Sequence, residues 1–349
     1  MNLTFLKSKS VEWLQGGPES DVVVSSRVRL ARNIDGFPFV PRATERQRAR
    51  IEELLHNVIL SLDTQPPLEY VRLDKLEPLL RELLLERRLI SPEHAEADWV
   101  RGLALDRTGQ VSVMVNEEDH LRLQFMLGGF RLEEVYDRAD RFDDAVADRV
   151  PLAFSDKYGY LTVCPTNVGT GLRASLMLHL PGVVMAQEMD KVVETAREAK
   201  LKLRGVYGEG THGAGDFYQV SNHVTLGPSE NEVIDSVVSA GRRLVELERG
   251  ARSTLYQAHP EEFQGRIKSA LRLLRSASAI SSQEALSFLS QVRLGVEMGL
   301  VPETSRETLN ELLLLTLPAH LQTMEGRLLD SSVRNELRAS YVKGRLSTG

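Results

Sequence analysis

The stretch Cys164-Pro165-Thr166-Asn167-Val168-Gly169-Thr170-Gly171-Leu172-Arg173-Ala174 joins an extended run to two glycines and then to an apolar segment. Residues 160–164 read as a strand that stops at Pro165. Gly169 and Gly171 read as the turn that follows, and residues 171–180 as a helix. On this reading the free N–H groups of the helix start and the Arg173 guanidinium are aimed at one place, which is the layout of an anion site. The common devices for holding a polyphosphate are missing: there is no GxxxxGK[ST] loop, no HRD or DFG set and no Rossmann glycine fingerprint.

Working outward, residues 44–62 predict an amphipathic helix, because Ile51, Leu54, Leu55, Val58, Ile59 and Leu62 share one face. Val111, Val113 and Val115 alternate as in a strand that delivers Asn116-Glu117-Glu118-Asp119-His120 at its end. Residues 185–201 read as another helix, 204–210 as a glycine-punctuated loop and 217–226 as a strand. Ser229 with Glu232 is a capping-box pattern opening a helix that Gly250 can close. Strands and helices mix without a regular βαβ rhythm, which predicts an α+β class, an antiparallel sheet flanked by helices. From His259 onward every apolar pattern is helical, with capping pairs at Ser281/Glu284 and Thr304/Glu307. A boundary near residue 253 divides the chain into 1–252 and 253–349, the second part an all-α bundle of four or five helices.

The chain of 349 residues has room for two domains. A net charge of −6 argues against general nucleic-acid binding. The longest apolar run, residues 312–315, is far too short to span a bilayer, and the first residues lack a signal-peptide core, so a cytoplasmic home is expected. The lone Cys164 excludes an intrachain disulfide, and eight histidines without zinc-ligand spacing imply that any metal arrives with a substrate.

Arginine stands beside the turns. In Ser25-Ser26-Arg27-Val28-Arg29, the period of two puts Arg27 and Arg29 on one side of an extended segment, where two guanidinium forks can clamp neighbouring phosphates. Four blocks occur in order: residues 25–29, 116–122, 164–175 and 204–209. On these blocks the region 21–252 resembles the phosphagen (guanidino) kinases, which include creatine kinase and arginine kinase. The resemblance implies that Arg27, Arg29, Arg122, Arg173 and Arg204 surround the phosphates of ATP, with Ser25, Ala174 and Ser175 nearby. It also implies that Glu118 and Glu209 hold the acceptor guanidinium and that Cys164 lies against it as a thiolate-leaning group. The chemistry agrees, since a protonated, delocalised guanidinium is a poor nucleophile until carboxylates orient it and take a proton. Mg²⁺ is expected on the nucleotide, with Glu117 reaching it through water; His120 is expected to be structural and His212 has no role.

The small-molecule enzymes of that family carry a helical domain before the Ser25-type block, where this chain has 24 residues, and they lack an appended helical part. In this the chain resembles the family's bacterial protein-arginine kinases, as do the stretches Arg204-Gly205-Val206-Tyr207-Gly208-Glu209-Gly210, Leu89-Ile90-Ser91-Pro92 and Pro318-Ala319-His320-Leu321-Gln322. That branch implies protein substrates with exposed arginine, marked for a stress-related protease. Its implied partners are a heat-shock repressor, an activator protein and a protease chaperone, and its implied assembly is a homodimer or higher oligomer. It also implies a phosphoarginine-binding motif, Arg-Asp-x-x-Arg-Ala, whose counterpart here is Arg334-Asn335-Glu336-Leu337-Arg338-Ala339; Asn335 departs from it, and so does Arg88, where relatives place a nucleotide-contacting histidine. The rival readings are a kinase for free arginine and a catalytically silent phosphoarginine-binding adaptor.

Overall fold

The computed structural model describes residues 6, 11–96, 98–206 and 213–347; Glu209 and His212 lie outside the described residues. The strands are β1 (Val23–Arg32), β2 (Glu69–Arg72), β3 (Gly102–Leu105), β4 (Val111–Val115), β5 (Leu121–Gly128), β6 (Phe154–Ser155), β7 (Gly159–Tyr160), β8 (Leu172–His179), β9 (Leu201–Gly205) and β10 (Phe217–Asn222). The helices of the first part are α1 (Glu45–Ser61), α2 (Pro78–Glu86), α3 (Pro92–Ala95), α4 (Leu132–Ala147), α5 (Pro181–Met185), α6 (Met189–Glu198) and α7 (Glu230–Ala258). Those that follow are α8 (Pro260–Ser276), α9 (Ser282–Glu297), α10 (Arg306–Leu315), α11 (Pro318–Glu325) and α12 (Ser331–Ser347).

Eight strands form one antiparallel sheet in the order β2-β3-β4-β5-β1-β8-β10-β9, and β6 pairs with β7 in a separate ribbon. The expected antiparallel, helix-flanked sheet is present, but one of its central strands is the segment predicted as a helix. In β8, Leu172, Ala174, Leu176 and Leu178 are fully buried on one face, while Arg173, Ser175, Met177 and His179 point the other way. Period two, not 3.6, is therefore the pattern these residues carry. The N–H groups expected to be free are engaged: Leu172 donates to Thr170 Oγ1 at 3.2 Å and Ala174 to Asn222 Oδ1 at 2.9 Å. The two glycines serve close approach instead. Gly171 has φ +64°, and a Cβ there would lie 2.6 Å from the Ala31 carbonyl; at Gly169, φ +111°, it would lie 2.1 Å from that of Thr225.

Other boundaries also shift. The strand predicted over 160–164 is limited to Gly159 and Tyr160, and the helix over 185–201 is split, with α5 before it and β9 taking its end. Helix α1 begins where expected, on the Thr44 capping box. Helix α7 opens on the Ser229/Glu232 capping box but passes through Gly250 to Ala258, held in that stretch by the buried Glu248–Arg252 pair at 2.6 Å. Ser281 caps α9 as expected, whereas α10 is capped by Ser305, which accepts from the Thr308 N–H, not by Thr304.

One face of the sheet is sealed by α1, α4, α6 and α7 over a core that includes Val28, Leu30, Leu123, Phe125, Ala174, Leu176 and Val220. The opposite face is divided. At one end Val24, Met126, Met177 and Phe217 join Trp13 and Leu14 in a second core with residues of α8, α9, α10 and α12, among them Phe263, Leu289, Leu312 and Val342. Four of the helices after α7 thus share a core with the sheet instead of closing one of their own. At the other end Leu103, Leu105 and Met114 of the same face join Leu83 and Leu84 of α2 and Ala319 of α11 in a third core, and the arginines stand on this face around a cavity. Among the described residues no helix is long and apolar enough to cross a membrane.

Candidate active site

Strand register assembles the cationic wall. Arg27 lies opposite Ser175 and Arg29 opposite Arg173 across β1 and β8; Ala31 pairs with Arg122 across β1 and β5, and Gln219 with Arg204 across β10 and β9. Arg27, Arg29, Arg122, Arg173 and Arg204, contributed by four strands, line one cavity of about 1020 Å³ together with Arg88, Glu93, Trp99, Glu117, Glu118, Cys164 and Asn167. Burial, then the charges of Arg88, Arg122 and Arg173, lower Arg27 to about 9, and burial among Arg27, Arg122 and Arg173 lowers Arg29 well below the usual guanidinium range. Arg27 donates to Gln219 Oε1 at 2.6 Å. Arg122 pairs with Glu117 at 2.6 Å. Among the described residues, Arg29, Arg173 and Arg204 have no carboxylate within ion-pair distance, and the Arg29 Nε–H is buried without an acceptor. Crowded, unneutralised guanidinium groups are costly unless an anion joins them. A triphosphate supplies the charge, and its oxygens supply the acceptors.

The turn after β4 supplies the acidic part. It is not a solvated acidic loop: Asn116, Glu117, Asp119 and His120 are all buried. Asn116 holds the Arg48 and Val100 carbonyls through Nδ2 at 2.8 and 3.1 Å, and Asp119 Oδ1 accepts from Asn33 and Val163. His120 is structural as expected, accepting the Ile34 N–H at Nδ1 and donating through Nε2 to the Pro38 carbonyl. Glu117 accepts from Arg122, from Ser91 Oγ at 2.5 Å and from the Glu118 N–H at 2.8 Å. Burial raises its pKa, but Arg122 and those hydrogen bonds overcome this and hold it at about 2. Both its oxygens are thus engaged within the protein. Glu118 is the half-buried carboxylate of the turn, and burial, followed by the charges of Asp119 and Glu117, pushes its pKa above the usual carboxylate range. A base so shifted holds a proton more readily.

Cys164 also lines the cavity, half-buried, with Sγ 3.0 Å from Thr166 Oγ1. Two expected contacts lie outside the cavity lining, and a third stands beside it. Ala174 is fully buried on the helix-covered face because alternation turns it away from Arg173. Ser25 is buried in β1 and is not part of the cavity lining. Ser175 stands behind the wall, its Oγ accepting from Arg27 Nε at 3.4 Å. Arg88 is in the lining, its guanidinium 5.9 Å from the Trp13 ring centroid and its carbonyl held by Gln124 at 2.6 Å. Arg334 and Arg338 are on α12. Arg338 is not on the helix surface: it is buried and donates to the carbonyls of Thr316 and Ile280 and to Asn335 Oδ1 at 2.7, 2.8 and 2.7 Å, while Arg334 donates to Leu329 O at 2.5 Å.

Residues that sequence reasoning missed include Gln219, Ser91, Glu93, Trp99 and Glu86. Glu86, in the lining, caps α11 by accepting from the Ala319 N–H at 2.7 Å, the His320 N–H at 3.1 Å and His320 Nδ1 at 2.8 Å. A spacing of more than two hundred residues hides that contact. The Gln219 position was readable once β10 was paired with β9, since it shares a face with Arg204.

Comparison with known proteins agrees with this geometry. Residues 50–251 match the family model described as ATP:guanido phosphotransferase, C-terminal catalytic domain, and residues 260–349 the one described as Protein-arginine kinase McsB C-terminal domain. The chain is 42% identical over 351 residues to the protein-arginine kinase of Halothermothrix orenii, covering 99% of this chain and 100% of that one. It is 40% identical to the protein-arginine kinase of Symbiobacterium thermophilum, covering 96% of each. Among solved structures, lombricine kinase superposes with a TM-score of 0.60 at 27% identity over 71% of both chains. A duplicated taurocyamine kinase from Schistosoma mansoni, with bound transition state analog components, gives 0.61 at 27% identity over 72% of this chain and 35% of that one. The cavity of arginines on an antiparallel sheet and the matched helical region together establish that the chain belongs to the ATP:guanido phosphotransferase family, in its protein-arginine kinase branch.

Proposed function

We propose that this chain transfers the γ-phosphoryl group of ATP to arginine side chains of proteins. The observation that carries the reading is the division of one cavity into a cationic wall, with Arg29, Arg173 and Arg204 unneutralised among the described residues, and an acidic side where Glu118 faces the same space. The wall suits the phosphates of Mg²⁺-ATP. Alignment and charge stabilisation account for most of phosphoryl-transfer catalysis, so a preorganised guanidinium wall is the main device required. Glu118 has the two properties the acceptor side needs, a negative charge to orient a guanidinium and a raised affinity for the proton it loses. Cys164 and, by the family resemblance, Glu209 complete the assigned acceptor side.

The division near residue 253 into a catalytic part, 1–252, and a helical part, 253–349, belongs to the same proposal, with the second part serving dimerisation or higher assembly. Arg334, Asn335 and Arg338 are its candidate phosphoarginine site, in which Arg338 must exchange internal acceptors for a phosphate. A cytoplasmic address, a role in stress-related degradation and dealings with a repressor, an activator and a protease chaperone extend the proposal by kinship with the relatives.

The test is mass spectrometry under non-acidic conditions after incubation with ATP and an unfolded protein. Acid-labile phosphate on arginine is expected, with Glu118→Gln lowering the rate about 10³-fold at unchanged thermal stability. Label on Ser or Thr would overturn the reading. Turnover of free L-arginine without protein label would assign the small-molecule reaction instead, and phosphoarginine binding with no ATP turnover would assign an adaptor.

A further inference from the structure

Glu93 is a second acid beside Glu118 on the acidic side of the cavity. It lines the same space as Arg122, Glu118 and Cys164, its side chain is exposed, and among the described residues its carboxylate has no ion-pair partner. Its charge is felt by both Glu118 and Arg122, so it stands within electrostatic reach of the acceptor side.

The turn that carries Glu93 is held from several sides. Ser91 Oγ accepts the His94 N–H at 3.1 Å, capping α3, and donates to Glu117 at 2.5 Å. His94 donates through Nε2 to the Gly102 carbonyl at 3.0 Å, and Arg101 donates to the Glu93 carbonyl itself. Arg101 also stacks on Trp99, its guanidinium carbon 4.1 Å from the ring centroid. Glu93 is therefore presented by a fixed backbone tied directly to the Glu117–Arg122 pair. A carboxylate held there, on the acceptor side, gains a favourable interaction only from a cation. The guanidinium that is phosphorylated is already assigned to Glu118, leaving the exposed Glu93 to meet what surrounds it.

We propose that Glu93 is a specificity residue that reads positive charge on the incoming polypeptide beside the target arginine, favouring acceptor segments with basic neighbours over acidic ones. This rests on the protein-arginine reading above and adds the class of segment selected.

Steady-state kinetics on two peptides test it, each with one arginine, flanked by lysines in one and by glutamates in the other. The wild type is expected to show the lower KM for the lysine-flanked peptide. In Glu93→Gln that preference should shrink about three- to fivefold, as for an exposed ion pair, with kcat and the KM for Mg²⁺-ATP unchanged. Glu93→Asp should recover part of it, and added salt should weaken it more in the wild type than in Glu93→Gln. An unchanged KM ratio in Glu93→Gln, or a change confined to the KM for Mg²⁺-ATP, overturns the inference while leaving the kinase reading intact. Absence of phosphoarginine on either peptide with the wild type overturns both.

Discussion

Arg293 and Arg29 illustrate two fates of a guanidinium in one fold. Arg293, on α9, is fully buried, and each part of its fork is used: Nε donates to Asn310 at 3.2 Å, one terminal nitrogen to the Asp21 carbonyl and His179 Nδ1 at 3.2 and 2.6 Å, and the other to the Ser20 carbonyl at 2.6 Å. Arg32 is held in the same manner by Asp143, by the Ala31 and Thr170 carbonyls and by Glu230, with its plane 3.5 Å from the Tyr160 ring centroid. Arg29, three residues before Arg32 on β1, faces Arg173 and has no such partners among the described residues. A saturated guanidinium pins elements together. An unsaturated one is a binding site.

The comparison predicts that substitutions separate stability from activity. Arg293→Met should have the largest effect, destabilising the chain by about 3–5 kcal/mol, because it leaves buried carbonyls and His179 without their donor. Urea unfolding measures this, and a loss below about 1 kcal/mol would contradict the structural role. Arg29→Ala and Arg173→Ala should lower kcat/KM about 10²-fold, while leaving the thermal midpoint unchanged or raising it by relieving like-charge repulsion. A midpoint that falls as in Arg293→Met would remove the distinction between the two sets.

This separation was not legible in the sequence, where Arg29, Arg32 and Arg293 look alike. The cavity arginines were expected from block resemblance and are brought to one cavity by strand register, a local period-two property readable in Arg27-Val28-Arg29 and overlooked in Leu172-Arg173-Ala174-Ser175. Two glycines before Leu172 suggested a helix start, but they serve close backbone contacts with β1 and the Thr225 segment, which only the assembled sheet reveals. Glu118 was legible as part of an acidic run. That Glu117 beside it is spent on Arg122 and Ser91 depends on α3, more than twenty residues upstream. The helical character after residue 259 was plain from periodicity; its shared core with Val24, Met126, Met177 and Phe217 was not, since those contacts are long-range.

Asp216 provides the finest test of what a saturated arginine can do. It begins the approach to β10 and lies 3.4 Å from Ser290 Oγ, which itself bonds His179 Nε2 at 2.8 Å. His179 is a direct partner of Arg293, yet burial dominates at Asp216, the Ser290 bond only partly offsets it, and its pKa rises from 3.8 to about 6. A raised carboxyl pKa means that the folded state binds the proton more tightly than the unfolded chain. Its stabilising contribution is full below about pH 4 and is lost as pH rises through 6. Asp216→Asn retains an amide able to bond Ser290 and removes the ionisation. The variant should match the wild type near pH 4 and exceed it at pH 7.5 by on the order of 2 kcal/mol, the difference opening between those values. Denaturant unfolding at several pH values measures the difference, and a gap independent of pH would mean that Asp216 ionises as freely as in the unfolded chain, its charge met by the Arg293 cluster after all.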